Sequence, residues 1–162
     1  MNTKVSKKTK QNEAILYYAE QKEKQTNELL KEMLEMQIKN VNSEDELSYE
    51  EMKRICKYIN KSIFGDECSL WQGYITNMNK SHKGTYINFH FRGEKTALHR
   101  LLYKNFRGPL SNDDYVKYKC ENKGMCCNVN HYKKYRYTNK KKKEPKYEIK
   151  LFTEDTVILH FE

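Results

Sequence analysis

Apolar and polar positions change their rhythm once along this chain, near Gly65. From Asn12 to about Asn40 there is no Gly or Pro, and helix-forming residues dominate. The apolar residues there fall into two groups, Ala14 to Tyr18 and Leu29 to Ile38, separated by the polar stretch AEQKEKQTNE. Heptads are not sustained, so the pattern predicts a helix with a solvated middle and two sticky ends rather than a long coiled coil. Such a helix is either an arm for a second copy or another protein, or a helix packed on its own domain. Ser48 and Glu51 have capping-box spacing. Met52, Ile55, Cys56 and Ile59 then share one helical face.

Beyond Gly65 the period shortens. Trp71–Ile75 reads as strand-like and KSHKG as a turn. In TYINFHF, Thr85, Ile87, Phe89 and Phe91 alternate with Tyr86, Asn88 and His90, the pattern of a half-buried strand. TALHRLLYKNF predicts a helix capped by Thr96 and ended by Gly108-Pro109. Val116–Lys119 reads as extended. NHYKKYRYTNKKKK, from Asn130 to Lys143, can continue as a helix until Glu144-Pro145. YEIKLF and TVILHF around Thr153-Glu154-Asp155 predict a C-terminal hairpin. The expected organisation is a basic disordered tail (1–10), a helical region (11–64), a finger domain (66–143) and a β-hairpin (144–162).

Charge narrows the function. The chain carries a net +9. Arg92 to Lys143 holds fifteen Lys/Arg against four Asp/Glu, a net +11 that exceeds the total. A polyanion, above all nucleic acid, is the expected partner. No apolar run approaches the ~18 residues of a membrane span, and MNTKVSKKTKQNE has no apolar core of a signal peptide. An intracellular, reducing setting with no membrane partner follows. There, clustered cysteines point to metal before disulfides.

Five cysteines are present: Cys56, Cys68, Cys120, Cys126 and Cys127. Cys56 lies on the apolar helical stripe and reads as core. Cys120, Cys126 and His131 form C-x5-C-x4-H, three ligands of a tetrahedral zinc site. Cys127 competes with Cys126. A fourth ligand must come from elsewhere, and Cys68 is the remaining cysteine.

CSLWQGYI, then Gly84 and Tyr86, then ALHRLLYKNFRGPL, then VKYKCENKGMCCNVNHY resemble, in order, the zinc-bound His-Me finger (HNH-like) homing endonucleases. The resemblance covers about residues 66–142 and implies an α+β fold built on a ββα-metal finger. It assigns a structural zinc to Cys68, Cys120, Cys126 and His131. It also implies a catalytic magnesium near Asn139, with Arg92 as the nearest candidate for an assisting arginine. The family's general base is a histidine two residues before the zinc cysteine, and here that position is Tyr118. A phenol titrates near 10 and keeps its proton at neutral pH, and losing a positioned base costs ~10²–10⁴-fold in rate. No replacement is evident, although His90 lies on the non-Phe face of its strand; His99, in A-H-R, reads as structural.

The expected function is therefore a double-stranded DNA-binding protein derived from such an endonuclease, with cleavage lost or weak. An active magnesium-dependent endonuclease with an unconventional base is the second reading. A structural subunit of a nucleic-acid complex is the third. By family analogy Asn88, His90 and Arg92 read the duplex, while Lys133, Lys134, Arg136, Lys140 and Lys141 meet phosphates.

Overall fold

The computed structural model describes residues 3–137, 150–152 and 156–158, with side chains from Lys7 to Tyr137. The described residues form a mixed α+β fold of three α-helices and three two-stranded antiparallel sheets.

Helix α1 spans Thr3–Met36. It begins inside the stretch expected to be a disordered tail. Its halves differ sharply: Lys7 to Gln21 are exposed throughout, including Ile15, Leu16, Tyr17 and Tyr18, whereas Thr26, Leu29, Leu30 and Met33 are buried. Only the second half adds to the core.

Helix α2, Tyr49–Cys56, has the capping box that Ser48 and Glu51 predict: the Glu51 N–H donates to the Ser48 hydroxyl, and the Glu51 carboxylate accepts from the Ser48 N–H at 2.8 Å. Met52, Ile55 and Cys56 are buried from it. The Cys56 thiol lies 3.3 Å from the Met33 sulfur, and burial pushes it up to about 12.

The Trp71–Ile75 stretch is not a strand. It is held by isolated bridges, Leu70 to Cys126 and Thr76 to Tyr86, on either side of it. Strands β1 (Asn88–Phe91) and β2 (Glu94–Ala97) form a hairpin with Asn88 opposite Ala97. Ile87, Phe89 and Phe91 are buried, as the alternation predicts. The turn residues Arg92 and Gly93 have φ of 49° and 85°, the left-handed pair that a two-residue hairpin turn requires.

Helix α3 spans Leu98–Phe106 and buries Leu98, Leu101, Leu102, Asn105 and Phe106. Its cap is Ala97 with no side-chain bond, not Thr96. Thr96 is a β2 residue paired with Phe89, because the strand runs straight into the helix.

Strand β3 (Asp114–Tyr118) pairs residue for residue with β4 (Tyr132–Arg136), Asp114 opposite Arg136 and Tyr118 opposite Tyr132. The helix expected from Asn130 onward is thus a 3-10 turn (Val129–His131) followed by a strand. YKKYRY carries helix-compatible lysines, but its tyrosines favour a pleated surface, and the β3 partner completes the ladder. A C-terminal hairpin forms from β5 (Lys150–Phe152) and β6 (Thr156–Ile158); its expected turn lies outside the described residues.

One core joins the three helices and the first two hairpins. Leu29, Leu30 and Met33 of α1 join Met52 and Ile55 of α2, Leu98, Leu101 and Leu102 of α3, and Val116, Cys127, Val129 and Tyr132 around the second hairpin. Asn105 ties the helices together. Its amide oxygen accepts from the Leu47 N–H (2.9 Å) and the Gln37 amide (2.8 Å). Its amide nitrogen donates to the carbonyls of Asp45 (2.9 Å) and Leu101 (2.8 Å).

Candidate metal centre

The loop between β3 and β4 crosses over the segment around Cys68 and is fastened to it by backbone. The Cys127 N–H donates to the Ser69 carbonyl at 2.6 Å, and the Trp71 N–H donates to the Met125 carbonyl at 3.0 Å. Two asparagines complete the join. Asn128, wholly buried, donates its amide to the carbonyls of Gly65 (2.8 Å) and Glu67 (2.6 Å), and its oxygen accepts from the Asn130 N–H. Asn130 donates to the Phe64 carbonyl at 2.6 Å. These bonds set residues 64–69 against the loop, so that Cys68 faces cysteines more than fifty positions away.

The loop itself needs Gly124. Its φ is +79°, and a Cβ there would lie 2.1 Å from the Thr85 carbonyl oxygen. Any side chain would push the Cys120–Cys126 loop off the chain beneath it.

The result is a group of four. The ligand atoms of Cys68, Cys120, Cys126 and His131 all lie within 4.8 Å of one another and could hold a metal ion. His131 Nδ1 is 3.4 Å from the Cys68 sulfur and 3.5 Å from the Cys126 sulfur. Tetrahedral zinc with Zn–S of about 2.3 Å and Zn–N of about 2.0–2.1 Å puts neighbouring sulfur and nitrogen roughly 3.6 Å apart, so the spacing suits that ion. The tautomer is fixed as well. His131 Nε2 lies 2.9 Å from the Asp66 carbonyl, which can only accept. The proton therefore sits on Nε2, and the Nδ1 lone pair faces the thiols.

Cys126 and Cys127 part company here. The Cys126 sulfur joins the group and accepts from the Asn128 N–H at 3.4 Å. Cys127 is wholly buried on the core side of the loop. Burial, then the charge of Cys126, drive the Cys127 thiol far above its ordinary value. Cys126 itself is raised to about 12, first by burial. At Cys68 burial pushes upward, but hydrogen bonds from Asn122, Cys126 and Cys120 outweigh it and the net direction is down. A divalent cation would favour the thiolate at all three ligand cysteines.

Tyr118 ends β3, two residues before Cys120. Its ring packs edge-on against Tyr132 at 5.3 Å and tilts against His99 at 5.4 Å. The Tyr118 hydroxyl and His99 Nδ1 are both buried without a hydrogen-bond partner among the described residues. Burial, then the charge of Arg100, lower His99 to about 4; burial first raises Tyr118 above its ordinary value.

The remaining expected site residues are scattered. Arg92 is spent on structure: its guanidinium donates to the carbonyls of Ser43 (2.7 Å) and Glu46 (2.9 Å) and lies over the Phe91 ring. Asn88 donates to the Thr76 hydroxyl at 3.2 Å, and His90 is exposed. Arg136 pairs with buried Asp114 at 3.1 Å. Bonds from Ser111 first, with Arg136, hold the Asp114 carboxyl down at about 2. Lys133 is exposed, and Lys134 reaches the Pro109 carbonyl at 3.4 Å. Asn139, Lys140 and Lys141 lie outside the described residues. Sequence reasoning overlooked Asn128 and Asn130, whose signal is the N-V-N just after the cysteine pair. No helix among the described residues is long and apolar enough to cross a membrane.

No family model matches the chain, and no solved structure matches it. It is similar to an uncharacterized protein of Acanthamoeba polyphaga mimivirus, with 54% identity over 127 residues, which is 76% of this chain and 37% of that protein. The chain thus spans little more than a third of the length of this viral relative.

Proposed function

We propose that this chain is a zinc-stabilised DNA-binding protein of the His-Me finger kind in which cleavage is lost or strongly weakened. The observation that carries the reading is the convergence of Cys68, Cys120, Cys126 and His131, with a half-buried tyrosine, its hydroxyl out of reach of solvent, two residues before Cys120. In this reading β3 and β4 are the two strands of a ββα unit, and zinc fastens their connecting loop to the body. Held by three thiolates and one imidazole, zinc would be coordinatively closed and structural, activating no water.

Tyr118 supports the loss of cleavage. A general base must reach a water or hydroxyl at the reacting phosphate. The Tyr118 hydroxyl is instead buried, with its ring packed against His99 and Tyr132. Duplex DNA is the expected partner because positive charge is concentrated between Arg92 and Lys143.

Supercoiled plasmid incubated with the protein and Mg²⁺ or Mn²⁺ tests the reading. Binding that weakens steeply with salt and leaves the plasmid intact is expected. Tyr118→His should restore nicking if only the base was lost. Nicking by the unaltered protein that disappears in Asn139→Ala would establish an active endonuclease instead. No binding to duplex at low salt would remove the DNA-binding reading.

A further inference from the structure

The β3–β4 hairpin has two faces of opposite character. Val116, Tyr118 and Tyr132 point inward to the core or its margin. The other face carries Tyr115, Lys117, Lys133, Tyr135 and Tyr137, alternate residues on each strand. Register sets Tyr115 opposite Tyr135 and Lys117 opposite Lys133. The tyrosines form a continuous aromatic strip: Tyr115 stacks on Tyr135 at 5.5 Å and 20°, and lies 4.7 Å from Tyr137. Tyr137 is 69% exposed and Tyr135 36%.

Lys117 opposite Lys133 is a like-charge pair, which costs stability on a sheet. Neither ammonium forms an ion pair among the described residues; the three ion pairs there use Lys61, Lys104 and Arg136. Both ammoniums lie over tyrosine rings, Lys117 5.1 Å from Tyr135 and Lys133 5.4 Å from it. The buried carboxylate of the hairpin, Asp114, is turned to the opposite face and paired with Arg136. Two unpaired cations within an exposed aromatic strip match a ligand that brings phosphates and planar rings together.

We propose that this face binds single-stranded nucleic acid, with the tyrosines stacking on unpaired bases and Lys117 and Lys133 meeting the flanking phosphates. A duplex would offer the flat strip only its backbone and groove edges, whereas unpaired bases expose their π faces to it. The inference deepens the nucleic-acid reading and rests on it. It places a separate single-strand contact on the outer face of β3–β4, apart from the β1–β2 hairpin, where Arg92 is already bound to backbone carbonyls.

Fluorescence anisotropy of the full-length protein with labelled oligo(dT) of roughly 15 nucleotides, and with a duplex of equal length, tests it. Tyr135→Leu with Tyr137→Leu preserves net charge and strand character. It should weaken oligo(dT) binding at least about tenfold and leave duplex binding within about twofold. Lys117→Gln with Lys133→Gln should reduce the single-strand salt slope by about 1.4. Unchanged oligo(dT) affinity in the tyrosine variant, or equal weakening on both probes, overturns the proposal while leaving nucleic-acid binding intact. Failure of the unaltered protein to bind either probe removes the underlying reading as well. Circular dichroism and zinc content monitor folding. Should the double variant misfold, Tyr137→Ser alone decides, since that side chain is mostly solvent-exposed; it should weaken oligo(dT) by about fivefold.

Discussion

Cys126 and Cys127 are adjacent and chemically identical, yet the structure gives them opposite roles, which makes a controlled experiment. The perturbation is the same in both cases, Cys→Ala. Cys126→Ala removes one of four metal ligands. If metal affinity then falls about 100-fold, stability under saturating metal drops by about 2.7 kcal/mol, and the variant releases its metal to a mild chelator. Cys127→Ala removes a sulfur atom from the core side of the loop, where the residue is 0% exposed. That leaves a small cavity costing about 1–2 kcal/mol, with or without metal. The loop stays in place because the Cys127 N–H still donates to the Ser69 carbonyl. The assay is urea denaturation of both variants with and without chelator, alongside metal content by elemental analysis. The expected signature is a chelator-dependent loss for Cys126→Ala and a chelator-independent loss for Cys127→Ala, the latter retaining about one metal per chain. Retention of metal by Cys126→Ala with loss by Cys127→Ala would refute the ligand assignment. A protein whose stability never responds to chelator would refute the metal centre.

Three further outcomes follow from the packing. Asn105→Leu should cost about 3–4 kcal/mol in urea denaturation, because it removes four hydrogen bonds and strands the buried Leu47 N–H; a loss under about 1 kcal/mol would show that water replaces them. His99, held down at about 4 in the fold, stays neutral while the unfolded chain gains a proton below about pH 6.5, so stability falls as pH drops from about 6.5 to 4, by on the order of 2–3 kcal/mol. His99→Gln should flatten that part of the pH profile relative to the unaltered protein at equal metal loading; parallel profiles would remove the buried-imidazole account. Gly124→Ala should destabilise by about 2 kcal/mol or more and weaken metal retention, since the new Cβ meets the Thr85 carbonyl in a left-handed backbone; unchanged melting and metal content would contradict this.

Several elements were legible from local pattern alone. The α2 capping box is written in residues three apart, and TYINFHF alternates with period two, so each identifies its own conformation. The spacing of Cys120, Cys126 and His131 restricts them to one short loop, and that also is local information. YKKYRY suits either element in sequence, because its lysines fit a helix and its tyrosines a strand. What settles it is the ladder to Asp114–Tyr118, a partner that no periodicity within the segment reveals.

The fate of individual polar groups was decided only by tertiary structure. Arg92 reads as a free cation in sequence, but the left-handed turn at Arg92-Gly93 lets its guanidinium reach the carbonyls of Ser43 and Glu46. Asn105 and Asn128 look like ordinary polar residues, yet each is fully buried and joins segments about sixty residues apart. Hydrophobic periodicity says which side of an element turns inward, because every neighbouring residue repeats that message. A hydrogen bond or a metal ligand needs one particular partner at one distance, and the chain supplies that partner only after the core has closed.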